Sequence, residues 1–532
     1  MRKTNRISIL VAALIASASA QYGYSASWEA KPEINLRAIY SDNIALNDTQ
    51  EESDFITDIS PRIVITADGN RLDLQFDYSI QNLIYFDNSE RNNTNHRLNT
   101  KLTTELVEDL FFFEGLGRIS QQLVDRRQGL SYDRISGSEN AGDVYGFSLS
   151  PYITPRIGNF AQAEIRYTYD YVDSESDNHS SVASSSFNDS EGDRVSARIQ
   201  SGEGMGKISW NVNYDSRKVD YEDGDKTDTE FLRTIFSYRL SRKFTLNATW
   251  TDEENEFIGD RGNNLPDDSF YGGGVTWHPT RTFSLTAGYN KRTDPRQDED
   301  ETFGNGSLFW APTPRTQLQA DYGNRFFGET YNFSFDHRMR RSSWRINYNE
   351  GVSDFRQQFL EQRLVGSLIC PIGFNDFQQC RIFDANNPPQ LNEQVVGLVG
   401  LLPSFSNDTY INKRLNASWS IRGGKNVITL SANRQDREYV ADQQDERDLD
   451  INLSWSYQIA PQTTSLFSVQ HRKDEFEDGE ESTDIGVTWS LTTRLSPKSN
   501  VSLELYVNDR DADTGSRDYS ENRVTLSFQH FF

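Results

Sequence analysis

Residues able to do covalent chemistry are scarce in this chain of 532 residues: six histidines and two cysteines, Cys370 and Cys380. Nucleophilic or acid–base hydrolysis needs a nucleophile held against a base that a third group orients. His96, His179, His337 and His471 show no Ser or Asp partnership by spacing, His278 falls in a turn-like HPTRT stretch, and His530 shares an apolar face. No GxSxG, HExxH, P-loop or dinucleotide fingerprint occurs. The run DGDKTDTE from Asp223 to Glu230 has carboxylates that could attract calcium but lacks EF-hand spacing, so it reads as a solvated acidic loop. Two thiols do not make a metal site. Ten residues apart, they favour one local disulfide in an oxidising compartment, contributing roughly 2–4 kcal/mol by restricting the unfolded loop. The expectation is a protein that is not an enzyme and holds no cofactor or metal.

The remaining chemistry is that of a polar lining. Alternation along the chain puts Arg37, Asp73, Gln75, Asp77, Glu164, Arg166, Arg198, Asp321, Asp336, Arg345 and Glu504 on one face of their segments. Anion selection calls for a convergent basic ladder, which this set does not form. Charges of both signs, neutral hydrogen-bonding groups and aromatic platforms suit a hydrated sugar chain, and equally a nonspecific wet wall whose charges neutralise one another.

The elements that must position these residues are β-strands. From Lys31 onward, segments of about 8–12 residues alternate apolar and polar, then break. Phe283, Leu285, Ala287 and Tyr289 alternate with Ser284, Thr286, Gly288 and Asn290; Val501, Leu503, Leu505 and Val507 alternate with Ser502, Glu504, Tyr506 and Asn508. The breaks are of two kinds. Short ones, such as LSRKF (Leu240 to Phe244), APTPR (Ala311 to Arg315), IRGGKN (Ile421 to Asn426) and LSPKSN (Leu495 to Asn500), carry the Pro, Gly and Asn of tight hairpins. Between them lie long acidic ones, such as Asp173 to Asp193, Asp252 to Asp268, Arg292 to Thr302 and Arg472 to Ser482. Short turns on one side and long loops on the other are the anatomy of an outer-membrane barrel, with the turns in the periplasm.

The rest of the sequence agrees with that compartment. MRKTNRISILVAALIASASA has a basic start, a short apolar core and small residues at Ala18 and Ala20, the pattern of a secretory signal peptide over 1–20, with Ala26 as a second cleavage point. Cleavage after Ala20 removes Arg2, Lys3 and Arg6 and no acid, taking the net charge from −25 to −28. Nucleic acid is thereby a poor partner. A mean hydropathy of −0.71 does not argue against a membrane, because a barrel strand needs only one apolar face.

Pairing the segments gives about 24 strands over 31–532, after a short periplasmic stretch of 21–30. Closure follows because an open edge in hydrocarbon leaves backbone groups unpaired. A soluble stack of sandwiches would alternate too, but would not place Trp250, Trp277, Trp310, Trp344, Trp455 and Trp489 near strand ends, where amphipathic rings form girdles. A circular barrel of this size has a backbone diameter of roughly 45–50 Å, too wide for wall side chains to fill. The longest break, 358–407, mixes apolar runs with both cysteines and is expected to fold over or into the external mouth as a constriction or lid, an exterior cap with only a packing role being the alternative. The chain closes on VTLSFQHFF, with Val524, Leu526, Phe528, His530 and Phe532 on one face. Phe528, His530 and Phe532 resemble the terminal signal by which barrels are recognised for assembly, His530 replacing a more usual apolar residue.

The whole arrangement, from KPEINLRAIYSDNI through Ser60 to Asn88 and on to FQHFF, resembles the large outer-membrane barrels associated with exopolysaccharide clusters and exosortase (PEP-CTERM) systems of Gram-negative bacteria. The resemblance implies a multi-pass barrel of the outer membrane that assists export or surface deposition of an exopolysaccharide. Its implied partners are lipid and lipopolysaccharide, the barrel assembly machinery, the polymer and periplasmic export proteins. A general solute porin and a structural or adhesion barrel are the alternatives.

Overall fold

A computed structural model describes residues 26–123, 127, 135–137, 140–175, 189–222, 224–258, 267–293, 301–361, 366–371, 381–382, 393–398, 409–439, 445–476, 478–514 and 517–532. The expected signal peptide, 1–20, lies outside them. One sheet holds 25 strands, of which Arg156–Ile157 is a two-residue ladder in a turn; the other 24 form the wall of a barrel. Every neighbouring pair is antiparallel. The first strand, Ser27–Ser41, closes on the last, Tyr519–Phe531, in a register running from Glu33↔Phe531 to Ser41↔Arg523. The barrel thus begins at Ser27, four residues ahead of the expected Lys31, and claims the end of the stretch assigned to the periplasm.

Alternation sets the two faces. In the last strand Val524, Leu526 and Phe528 are exposed at 44%, 53% and 37%, whereas Arg523, Thr525, Ser527 and Gln529 are no more than 4% exposed. The exposed apolar face can only meet lipid, and the covered polar face looks into the barrel. Aromatic residues stand outward near the strand ends: Trp277, Trp310, Trp344 and Trp455 toward the short-turn end, Tyr271, Tyr289, Tyr322 and Tyr331 toward the other. A closed barrel with an apolar outer band between two aromatic belts is a multi-pass protein of the outer membrane.

Both ends of the wall lie at the short-turn end, where connections such as residues 281–282, 314–315, 461–462 and 497–498 join adjacent strands. His278 is the exception to its turn assignment: strand Asp268–Thr280 carries through it, with Thr245 Oγ1 3.5 Å from its Nε2. At the other end strands run past the outward tyrosines and carry acids with them. Phe244–Ile258 includes Asp252, Glu253 and Glu254, and Lys226–Arg239 takes up most of the run read as an acidic loop. That connection is instead a tight turn around Gly224, whose φ of 99° favours glycine. Lys226–Asp220 and Lys218–Asp228 pair across it at 2.6 Å each.

Candidate functional site

The lumen is the candidate site, and it is neither empty nor round. Strand Ser342–Ser353 runs up to Asp354, and a short helix, Phe355–Glu361, turns inward from there. Asp354 starts it in the usual way, its Oδ1 accepting from the Gln357 amide at 2.6 Å. The segment then docks on the far wall. Phe359 packs against Val144 and Val172, Arg118 Nη1 donates to the Phe359 carbonyl at 2.7 Å, and the Arg118 guanidinium lies 5.1 Å from the Phe359 ring centre. The strand that carries Val144, Ala141–Ile153, is eleven places round the 24-strand wall from Ser342–Ser353. Five helical residues rise only about 7.5 Å, so with one side chain's reach the two walls stand within roughly 20 Å of each other. The circular section expected from strand number fails at this level: the barrel is flattened, and the segment bridges its narrow dimension. The constriction therefore begins at Asp354, ahead of residue 358.

Two charged contacts fix the bridge. Arg217 Nη2 lies 2.9 Å from Asp354 Oδ2, and Arg217 Nη1 donates to Gln357 Oε1 at 2.9 Å. Burial disfavours the Asp354 carboxylate, but Arg217, Arg356 and the Gln357 amide outweigh it and hold the group below its ordinary range. Arg356 is 2% exposed and lies against Gly192, where an added Cβ would overlap its guanidinium. Burial and the nearby Arg217 lower its affinity for the proton, and among the described residues its Nε, Nη1 and Nη2 have no hydrogen-bond partner.

Beyond the helix, strand Glu393–Leu398 of a small three-stranded sheet runs beside wall strand Asn426–Tyr439. The inward residues of that strand and of Asp445–Ala460 are accordingly covered, with Gln435, Arg437, Asp448 and Asp450 no more than 1% exposed. Arg437 Nη1 pairs with Asp448 at 2.6 Å and Glu446 at 3.2 Å. Cys370 lies in strand Gly366–Pro371, but Cys380, and with it the expected disulfide, lies outside the described residues. Other loops also enter: Ile44 and Ile135 join the inward-facing Ile39, Ile56, Leu83 and Tyr85 in an apolar cluster. Ser41 and Ser136 both bond Glu521 beside the closing seam.

What stays open is a cavity of about 790 Å³ walled from Arg194 round to Ser353 and bounded by Asp354 and Gln357. Six of its charges are matched in place, Arg194 with Asp215 at 2.7 Å, Arg325 with Glu253, and Arg217 with Asp354, and Glu230, Arg233 and Asp321 also line it. Thr229, Thr249, Thr251, Asn255, Asn290, Asn305 and Thr330 supply neutral donors and acceptors, and Phe231, Phe270 and Phe303 supply apolar platforms. Among the described residues Thr251 Oγ1 and Asn305 Oδ1 are buried without a hydrogen-bond partner.

The residues assigned to the lining by alternation stand as follows. Arg37 pairs with Asp58, Nε to Oδ2 at 2.7 Å; Asp77 is gripped by Arg62, which also reaches Glu33; Asp73 lies further down the same inward face. Arg166 sits 3.9 Å over the Tyr152 ring and 3.8 Å from Glu114. Glu164 opposes Arg198, whose Nε donates to Asn213. Asp321 lines the cavity, Arg345 pairs with Asp336 at 2.9 Å, and Glu504 shares its face with buried Ser502 and Asn508. The cavity itself holds only Asp321 of this set. In the terminal strand His530 lies between Phe528 and Phe532, its Nδ1 2.9 Å from Ser499 Oγ.

Sequence reasoning missed the bridge residues Arg118, Arg217, Arg356 and Phe359, whose contacts across the lumen span 137 or more positions. It also missed a basic cluster at the short-turn end, for which HRMRR (His337 to Arg341) was the available signal.

No protein-family model and no characterised protein sequence matches the chain. Among solved structures it is similar to the siderophore receptor PirA of Pseudomonas aeruginosa, at 8% identity over 94% of this chain and 80% of that one, with a TM-score of 0.40. It is similar to the FrpB iron transporter of Neisseria meningitidis at 10% identity, 94% and 81% coverage and a TM-score of 0.43. A loop-deleted OmpT of Vibrio cholerae matches at 8% identity over 95% of this chain and 99% of that one, with a TM-score of 0.30.

Proposed function

We propose that this protein is a channel of the outer membrane that assists export or surface deposition of an exopolysaccharide, with the segment from Asp354 as its constriction, and that it is not an enzyme. The observation that carries the reading is the pairing of an open polar cavity with a segment that narrows the lumen beside it. With six of the nine wall charges paired, neutral hydroxyl and amide groups make up much of what meets a passing solute, and such groups with aromatic platforms suit hydrated sugar rings. The family resemblance supports the same reading and adds lipopolysaccharide, the assembly machinery and periplasmic export proteins as partners. A Cys370–Cys380 disulfide would limit the conformations of the insertion without supplying chemistry.

Deleting residues 358–407 while keeping the flanking strands tests it. The expected result is higher single-channel conductance, greater leakage of small solutes and altered surface polymer. A properly inserted deletion barrel with unchanged conductance and unchanged polymer yield would defeat the reading and leave the insertion as a cap on a structural barrel.

A further inference from the structure

At the short-turn end, Arg315, Arg338, Arg340, Arg341 and Arg422 line one concavity of about 370 Å³, together with Met339 and Ser342 and with no acidic side chain. They come from two turns and the feet of two strands, Gly328–Arg338 and Tyr410–Arg422, brought together by the register of Ser342–Ser353 with Tyr410–Arg422. Arg422 continues the face of Ser418 and Ser420, opposite lipid-facing Trp419 and Ile421; Arg338 continues the face of Asp336, which is paired with lumen-facing Arg345. The cluster therefore forms a lip on the water side of the inner mouth. In a chain of net charge −25 the other arginines described above are mostly matched with acids. These five guanidiniums make no ion pair and no hydrogen bond among the described residues.

Five unneutralised guanidiniums round one concavity repel each other unless an anion joins them, and guanidinium forks fit carboxylate and phosphate oxygens best. We infer that this lip is an oxyanion-binding site that takes the carboxylate or phosphate groups of an acidic polysaccharide entering the lumen from the periplasm. The size favours a sugar acid or phosphate group over a flat protein surface, and its place on the lumen side favours a solute over a lipid headgroup. The long loops at the opposite end are acidic, as in Asp173 to Asp193 and Arg472 to Ser482. Attraction at the inner mouth and repulsion at the outer surface oppose re-entry of a polyanion within a Debye length of each. The inference rests on the channel reading and narrows its substrate to an acidic polymer.

The test is equilibrium binding to the purified full-length barrel, using trigalacturonate as the acidic probe and maltotriose as the neutral one. Binding of trigalacturonate that weakens with salt, and falls about tenfold or more in the R338Q/R340Q/R341Q/R422Q variant, is expected. The pair R340Q/R341Q, confined to an exposed turn, gives the same direction where the fourfold variant fails to fold. R242Q/K243Q, on another basic turn, is expected to leave binding unchanged. Equal binding of maltotriose, undiminished binding in the lip variants, or equal loss in R242Q/K243Q overturns the inference. So does tighter binding of dihexanoyl phosphatidylglycerol or of a poly-aspartate peptide than of trigalacturonate, which would give the lip to a lipid or to a protein. Trigalacturonate binding that persists while conductance and polymer export prove unrelated to this barrel refutes the channel reading and leaves the site standing.

Discussion

Arg217 and Asp354 meet at 2.9 Å although Ile208–Tyr221, which carries Arg217, and Ser342–Ser353, which ends at the residue before Asp354, stand eight places apart round the wall. A pair like this forms only where the lumen is narrow, and it ties the constriction to the wall it narrows. Changing Asp354 to Asn removes the acid shared by Arg217 and Arg356 and leaves two mostly buried cations facing each other. Removing one partner of a buried pair costs about 3–5 kcal/mol. The D354N barrel is expected to fold, to show unchanged heat-modifiability, and to conduct better in planar bilayers because the segment undocks. Unchanged conductance would mean that the pair does not hold the constriction.

The same pair sets a pH dependence. Docking depresses the Asp354 carboxyl below 3.8. A depressed acid contributes its stabilisation above its undocked value and loses it as pH falls through the docked one. Conductance is therefore expected to be flat from pH 8 to about pH 5 and to rise only in stronger acid. A rise centred near neutrality would point to a histidine instead.

Shape can be separated from charge at Gly192. A methyl there overlaps the Arg356 guanidinium, while one at Gly304 meets nothing nearer than 3.9 Å. G192A is expected to undock the helix and raise conductance without altering any charge, and G304A to behave as wild type. Equal conductance of the two would show that Arg356 can shift aside.

How far the sequence reached follows from which contacts are local. Strand period and turn chemistry are local, so the closed barrel, its number of strands and the two faces of the terminal strand are legible from residues two apart. The bridge is not. Phe359 looks like one more apolar residue in a long break, and only the tertiary register sets it on Val144 and Val172. Alternation also misleads where loops fold inward, because Ile39, Ile56 and Leu83 are apolar yet face the lumen. The arginine lip unites positions 315 to 422 and becomes visible once strand pairing is known.

Orientation is tested by labelling single cysteines on intact cells. Arg242, Thr280, Pro314 and Pro497 belong to short turns or the strand ends beside them, and Asp478 to an external connection in which Arg127 Nη1 reaches its carboxylate at 2.6 Å. D478C is expected to react with an impermeant maleimide, as are substitutions at Asp177, Asp260 and Asp298, while R242C, T280C, P314C and P497C react only after permeabilisation. The opposite pattern would invert the barrel and move the arginine lip to the cell surface.

The closing seam makes the last residue testable on its own. Phe532 is 66% exposed on the lipid side, and its amide donates to the Pro32 carbonyl at 3.1 Å, the last bond between the two ends of the sheet. Gln529, three residues earlier, is 2% exposed inside the lumen beside Asn500. Deleting Phe532 removes apolar area at the membrane rim, the last residue of the expected assembly signal and that seam bond together; Gln529→Ser trims one lumen side chain and leaves the backbone ladder intact. Deletion is therefore expected to reduce the heat-modifiable barrel recovered from outer-membrane fractions severalfold, with Q529S near wild-type yield. Phe532→Leu separates the contributions, since it keeps the bond and much of the apolar area while losing the ring. Full yield from F532L with loss in the deletion would exclude the ring and assign the effect to the seam bond and the apolar area at the rim, and full yield from both would remove Phe532 from assembly altogether.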